Sequence, residues 1–303
     1  MQQQIDRFLA SLASKKGKKA KKTPLPRIIT ISVSSSPMCM IAGDGTPTTW
    51  SDISTNDIID YVLDLKQREY AAASIARKIA AIKSFFHYLM DTQIVSDDPS
   101  KPITTPAVLK APPQIMDQAT VELLLAAPAQ GSHPKALRDS ALLELLYATG
   151  MRTSEIAALN INDVSLQAHI VWCERYDKDT RAIHLSERAA NALATYLADG
   201  RPHLTSIRAK NEALFVNHRG QRLTRQGLWL IVKSYAEQIG MTADVTPHVL
   251  RSSSATHRLA SGTADMVSEV QNALGHASRA TTLIYAGLTA QRAAENDQQG
   301  GNS

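Results

Sequence analysis

Five prolines fall within "DDPSKPITTPAVLKAPP", residues 97 to 113, and this stretch has no apolar periodicity. Proline fixes φ, lacks an amide donor and pushes the residue before it away from helical backbone, so no long regular element runs through here. On both sides apolar residues return every three or four positions. A chain of 303 residues interrupted in this way is read as two units with separate cores, residues 50–110 and 114–296, joined by a proline-rich linker.

Upstream of the linker the periodicity is helical. "NDIIDYVLDLKQ" sets Ile58, Ile59, Val62 and Leu65 on one stripe. "AAASIARKIAAIKSFFHYLMD" does the same with Ile75, Ile79, Ile82, Phe85, Phe86 and Leu89. Residues 1–49 are set apart as an N-terminal extension: a short apolar pattern, "IDRFLASLA", then a lysine run, with a strand as one reading of "RIITISV". Downstream, "DQATVELLLAAPA" and "ALRDSALLELLYATG" predict helices, the second stopped by Gly150. "AHIVWCER" and "RAIHLS" are β-rich and flank "YDKDT", which predicts a hairpin. Helical patterns resume from "SERAANALATYLADG" to "SRATTLIYAGLTAQRAAEN", and the polar, Gly-rich tail 297–303 reads as disordered. The expected class is mainly α, with a helical N-terminal domain and a mostly α catalytic domain holding a small antiparallel sheet.

The formal charge of +5 is unevenly placed. Residues 1–27 hold Arg7, Arg27 and six lysines against Asp6 alone, which makes that segment +7 and the remainder −2. Such a run holds phosphates loosely or stays a solvated tail, so net charge alone does not make the chain a DNA binder. No apolar run is long enough to span a membrane, and the first twenty residues are too polar for a secretory signal. Cys39 and Cys173 lie far apart and in no metal-ligand spacing. Cytoplasmic location is the expectation, with no membrane contact, metal or cofactor.

Chemistry concentrates between residues 150 and 285. Arg152 follows the helix-ending Gly150, and Glu155 lies one short turn on. Lys178 sits at the tip of the predicted hairpin. In "TPHVLRSSSATHRLASG", Thr246 caps a helix, Pro247 suits its first position, and His248 and Arg251 share one face. His276 follows Gly275, and Tyr285 comes nine residues later. Each has a plain alternative: a surface arginine paired with Glu155, a turn lysine, a solvated polar face, a helix-end histidine, an amphipathic core tyrosine. As a set they can do more. Two arginines can clamp the non-bridging oxygens of a phosphodiester, histidines can move protons near neutral pH, a lysine can protonate a leaving oxygen, and a tyrosine can be the nucleophile. Such a set requires neither metal nor ATP.

The order Arg, Lys, His-x-x-Arg, His, Tyr resembles the signature of the tyrosine recombinases and integrases. "ATGMRTSEIAALNINDV" resembles the first-arginine box, "HVLRSSSATHRLASG" the second, and "VQNALGHASRATTLIYAGLT" the last. "ARKIAAIKSFFHYLMDTQIVSDDP" is similar to the helical, SAM-like core-binding domain of Xer-type members. By this resemblance Arg152 and Arg251 bind the scissile phosphate, Tyr285 attacks it, Lys178 is the general acid, His248 assists proton transfer and His276 orients the site. Glu155 braces the arginine box. The implied partner is double-stranded DNA, clamped between the two domains. The implied assembly is a homotetramer on two sites that proceeds through a Holliday junction and exchanges a C-terminal helix, residues 286–296. An accessory or paralogous recombinase is compatible with it. The sequence departs from the family pattern at Ser252 and Ser254, where a histidine and a phenylalanine are common, and at "ERYDKDTR", which lacks a Gly-Lys-Gly-like turn and places Arg175 near Lys178. Two other classes remain open at this point: a type IB topoisomerase-like nicking and resealing enzyme, and a catalytically inactive DNA-binding regulator.

Overall fold

The computed structural model describes residues 2–15, 49–107, 113–131, 133–174, 180–205, 211–241, 245–260 and 266–275, together with 282, 283, 285 and 287. The chain divides into two compact units, Met1–Ala111 and Pro112–Ser303. The strand reading at "RIITISV", the hairpin tip with Arg175 and Lys178, His276, most of the C-terminal segment 286–296 and the tail all lie outside the described residues.

The described residues of the first unit include three α-helices, α1 (Gln2–Lys15), α2 (Thr55–Gln67) and α3 (Ala72–Asp91). Ser54 starts α2: its hydroxyl accepts from the Asp57 amide at 3.3 Å, and Asp57 Oδ2 accepts from the Ser54 amide at 2.7 Å. Two otherwise orphaned donors are thereby satisfied. The buried stripe of α2 is Ile58, Tyr61 and Leu65, whereas Ile59, predicted to share it, is 41% exposed. A step of one residue turns the helix by about 100°, so Ile58 and Ile59 cannot both face one core, and the larger Tyr61 takes the place at i+3. The stripe of α3 is buried as expected, with Ile82 at its margin.

Residues 2–15, legible from sequence only as a short apolar pattern, form a helix that places Ile5 and Phe8 in this core. Phe8 meets Phe85 edge-on, with centroids 5.1 Å apart, and Phe85 meets Trp50 at 4.9 Å. Edge-to-face contacts add to the area these rings bury.

The second unit is built around α5 (Pro134–Thr149), whose Ala141, Leu142, Leu143, Leu145 and Leu146 are fully buried. A helix buried on nearly every side, Arg138, Asp139 and Glu144 included, is enclosed by other elements. Here they include α4 (Gln118–Ala126), α7 (Glu187–Thr195) and α10 (Pro247–Ala260). Gly150 ends α5 at φ +58°, and its amide reaches Leu146 O at 2.9 Å. A Cβ there would lie 2.5 Å from Leu274 Cδ2, so glycine answers both the backbone and the packing. After α6 (Thr153–Ala158) comes an antiparallel sheet in the order β1 (Val164–Ser165), β2 (Ile170–Glu174), β3 (Thr180–His184). Cys173 faces Arg181 and Val171 faces Ile183 across the hairpin. These four residues are buried, and the residues between them face outward. Helices α8 (Arg201–Leu204), α9 (Arg225–Gln238) and α11 (Met266–Leu274) complete the described α-helices. The fold is mostly helical, and no described helix is long and apolar enough to cross a membrane.

Phe8→Ala is expected to lower unfolding stability by about 3–5 kcal/mol, the usual cost of emptying a buried phenylalanine site. A urea-unfolding midpoint equal to that of wild type would show that α1 is not part of the first core.

Candidate active site

Three short pieces of backbone converge in the second unit. The first is the turn after α5, where Gly150 reverses the chain and Arg152 becomes the residue preceding α6. The second is the start of α10. As predicted, Thr246 Oγ1 accepts from the Val249 amide at 3.3 Å, Pro247 opens the helix, and His248 and Arg251 lie on one face. The third is the carboxyl end of α11, stopped by Gly275 at φ +62°.

A helix end leaves carbonyls without amide partners and carries partial negative charge. At the end of α11 three successive carbonyls accept from three arginines. Arg181 Nε donates to Ala273 O at 3.2 Å, Arg251 Nη2 to Leu274 O at 2.8 Å, and Arg152 Nη2 to Gly275 O at 3.0 Å. Arg251 Nη1 also donates to Gly150 O at 2.5 Å, at the end of α5. Two helix ends thus hold the guanidinium that α10 delivers.

Glu155 adds the anionic side chain. It accepts from Arg152 Nη1 at 3.1 Å and from the Arg152 amide at 2.7 Å, while Arg181 grips both its oxygens at 3.2 and 3.0 Å. Burial raises the Glu155 pKa, but the Arg181 hydrogen bonds, the Arg152 amide and the two guanidinium charges outweigh it. The carboxyl is held below its ordinary range. Glu155 therefore braces Arg152, as the sequence implied, and does so together with Arg181, which the sequence reading did not single out. Its signal was there: in "TRAIH" Arg181 stands two residues before Ile183, on the buried face of a period-two strand.

These elements surround an open cavity of about 410 Å³ lined by Arg152, Thr153, Ser154, His248, Arg251 and Tyr285, among others. Tyr285 is 6% exposed and packs with Ala255, Val270 and Leu274. Four predicted residues therefore meet at one cavity: Arg152, His248, Arg251 and Tyr285. Burial, and then the charge of Arg152, bring the Arg251 pKa down to about 10. That fall corresponds to an electrostatic deficit on the order of 3 kcal/mol, which an anion in the cavity would relieve, and Arg251 stays charged at neutral pH. His248 is lowered by burial and then by Arg251, which favours its neutral, proton-accepting form. The arrangement suits an anion held against a tyrosine hydroxyl beside a histidine base. Among the described residues no cluster of three or more His, Cys, Asp or Glu is placed to hold a metal ion.

The departures from the expected pattern in α10 also resolve. Ser254 Oγ donates to Tyr147 O at 2.5 Å, and Ser252 is fully buried with its hydroxyl lacking a partner. Neither lines the cavity.

Residues 114–292 match the phage integrase family, and residues 38–93 match the phage integrase N-terminal SAM-like domain. The chain belongs to the phage integrase family, the tyrosine recombinases. It is 41% identical over 303 residues to the tyrosine recombinase XerC of Herpetosiphon aurantiacus, covering 98% of this chain and 94% of the relative. It is 38% identical over 247 residues to the tyrosine recombinase XerD of Listeria innocua, covering 82% of each. In fold it is similar to XerA recombinase (TM-score 0.51, 25% identity, 94% of this chain and 92% of the other). A lambda integrase dimer bound to a COC′ core site has the same fold (TM-score 0.68, 17% identity, 94% of each chain). The chain is thus an enzyme of this family, with the mainly α fold and small antiparallel sheet read from its sequence.

Proposed function

We propose that this chain recombines double-stranded DNA at specific sites through a 3′-phosphotyrosine intermediate. The observation carrying this reading is the cavity in which Arg152 and Arg251, each anchored on helix-end carbonyls, stand with His248 and Tyr285. The scissile phosphodiester occupies the cavity, its non-bridging oxygens taken by the two guanidiniums. Tyr285 Oη gives up its proton and attacks phosphorus. The bond from phosphorus to the 5′ oxygen breaks, and that oxygen leaves as a hydroxyl on receiving a proton. The phosphotyrosine conserves the bond energy, so an incoming 5′-hydroxyl reseals by the reverse steps. The guanidiniums stabilise the extra negative charge of the pentacoordinate transition state from fixed positions.

His248 assists proton transfer. Lys178 and His276, which lie outside the described residues, keep the roles that the family resemblance implies: general acid for the 5′ oxygen and hydrogen-bond donor to the phosphate. DNA as the partner is supported by fold relatives bound to it. XerH recombinase is in one case bound to a palindromic difH substrate after cleavage, and lambda integrase is bound to a core site. A homotetramer on two sites, a Holliday-junction intermediate and exchange of the C-terminal segment are the assembly that the family resemblance implies. So does room for a paralogous or accessory recombinase.

The test is a two-site recombination assay with duplexes selected by the protein from a randomised pool. Wild type is expected to yield crossed-over products, and Arg251→Ala to lose cleavage by at least about 100-fold, on the scale of removing a transition-state donor, while keeping most DNA affinity. Relaxation of supercoils without crossed-over products would favour the topoisomerase-like class. Binding without cleavage by wild type would favour the inactive regulator.

The lowered His248 pKa sets the sign of the pH response. Cleavage at limiting DNA is governed by the free enzyme. It should fall as pH drops through a midpoint below the ordinary histidine value of about 6.5, because protonation removes the base. His248→Gln should flatten that limb. An unchanged acid limb in His248→Gln would assign it to another group.

A further inference from the structure

Arg181 is 9% exposed, and each of its three guanidinium nitrogens donates a hydrogen bond: two to Glu155 and one to Ala273 O. It does not line the cavity. Its contacts nevertheless reach both supports of Arg152, which are the Glu155 carboxylate and the end of α11. Gly275 reveals how close the approach is, since a Cβ there would lie 2.6 Å from Arg181 Nη1 and 3.4 Å from Arg152 Nη1. The residue also belongs to β3, three positions beyond Lys178 in the chain, and is paired with Cys173 of β2.

We infer that Arg181 is a positioning residue for strand cleavage, fixing Glu155 and the carboxyl end of α11 so that Arg152 is presented to the phosphate. This rests on reading the cavity as the phosphodiester site. Without Arg181, Glu155 has one cationic side chain to answer instead of two. Its carboxylate is then free to swing fully onto Arg152 and draw that guanidinium, 40% exposed and part of the cavity lining, out of reach of the phosphate. The planar fork matters as much as the charge. Arg181 spans both carboxylate oxygens while its Nε keeps the α11 carbonyl, and a lysine ammonium has no such geometry. The same ion ties β3 to the arginine box.

Arg181→Lys and Arg181→Ala in the full chain test this, each alone and combined with Glu155→Gln. Single-turnover formation of the protein–DNA adduct would be followed on a nicked duplex that wild type has selected from a randomised pool, beside DNA affinity and the thermal midpoint. Arg181→Lys should slow adduct formation by about 100-fold, the scale of an ångström-sized misplacement in an active site, while DNA affinity stays within about threefold. Adding Glu155→Gln should cost nothing further and return part of the rate, because it removes the carboxylate that Arg181 no longer holds. Adduct formation by Arg181→Lys at the wild-type rate would overturn the inference. So would losses that multiply in the double variant, affinity that falls in step with rate, or loss of the melting transition in both single variants, which would mark a purely structural ion. Failure of wild type to select any duplex would instead undo the cleavage reading on which the inference rests.

Discussion

Three arginines brought from different parts of the second unit meet at the last carbonyls of α11, and the rest of the site depends on that meeting. Moving a guanidinium out of water costs several kcal/mol, and three in one place also repel. A helix carboxyl end offers unpaired acceptors and partial negative charge, each hydrogen bond to a charged group contributing a net of about 1.5–3 kcal/mol. The carbonyl array and Glu155 stabilise the cluster, but not fully: Arg251, down at about 10, still carries a cost from burial and from Arg152. A site left short of negative charge is one suited to an anion.

The glycines at 150 and 275 follow from the same constraint. Each ends a helix in left-handed backbone and turns a terminal carbonyl toward an arginine, and each lies where a Cβ would collide, with Leu274 in one case and Arg181 in the other. The packed α5 fixes where Gly150 sits, and α10 carries Arg251 across to it. Burial in the core thus becomes positional precision at the cavity. His248 follows because it shares a face with Arg251, and its lowered pKa comes from burial together with that same neighbour. Glu155 and Arg181 make a buried ion pair, which is weak support for stability in general. Here it orients a third charge.

Much of this was legible in the chain because it is local. The Thr246 cap, Pro247, the Gly150 stop, the hairpin pairing and the shared face of His248 and Arg251 are all set by residues within one turn or one strand of each other. What escaped was long-range or ambiguous by a single step. Ile59 and Tyr61 compete for the same stripe, and only the partner helices decide between them. The few apolar residues of α1 gave too short a pattern to place it in a core reached across the lysine run. Arg181 was not singled out. Its role depends on Glu155, 26 positions earlier, and on Ala273, 92 positions later, and no periodicity encodes such distances.

The most direct measurement is covalent trapping on a pool of nicked duplexes in the presence of a chelator, with wild type and Tyr285→Phe run side by side on a denaturing gel. The account predicts an adduct that survives denaturation, forms without divalent metal and disappears in Tyr285→Phe. An adduct that persists in Tyr285→Phe, or one that forms only when metal is restored, would contradict it.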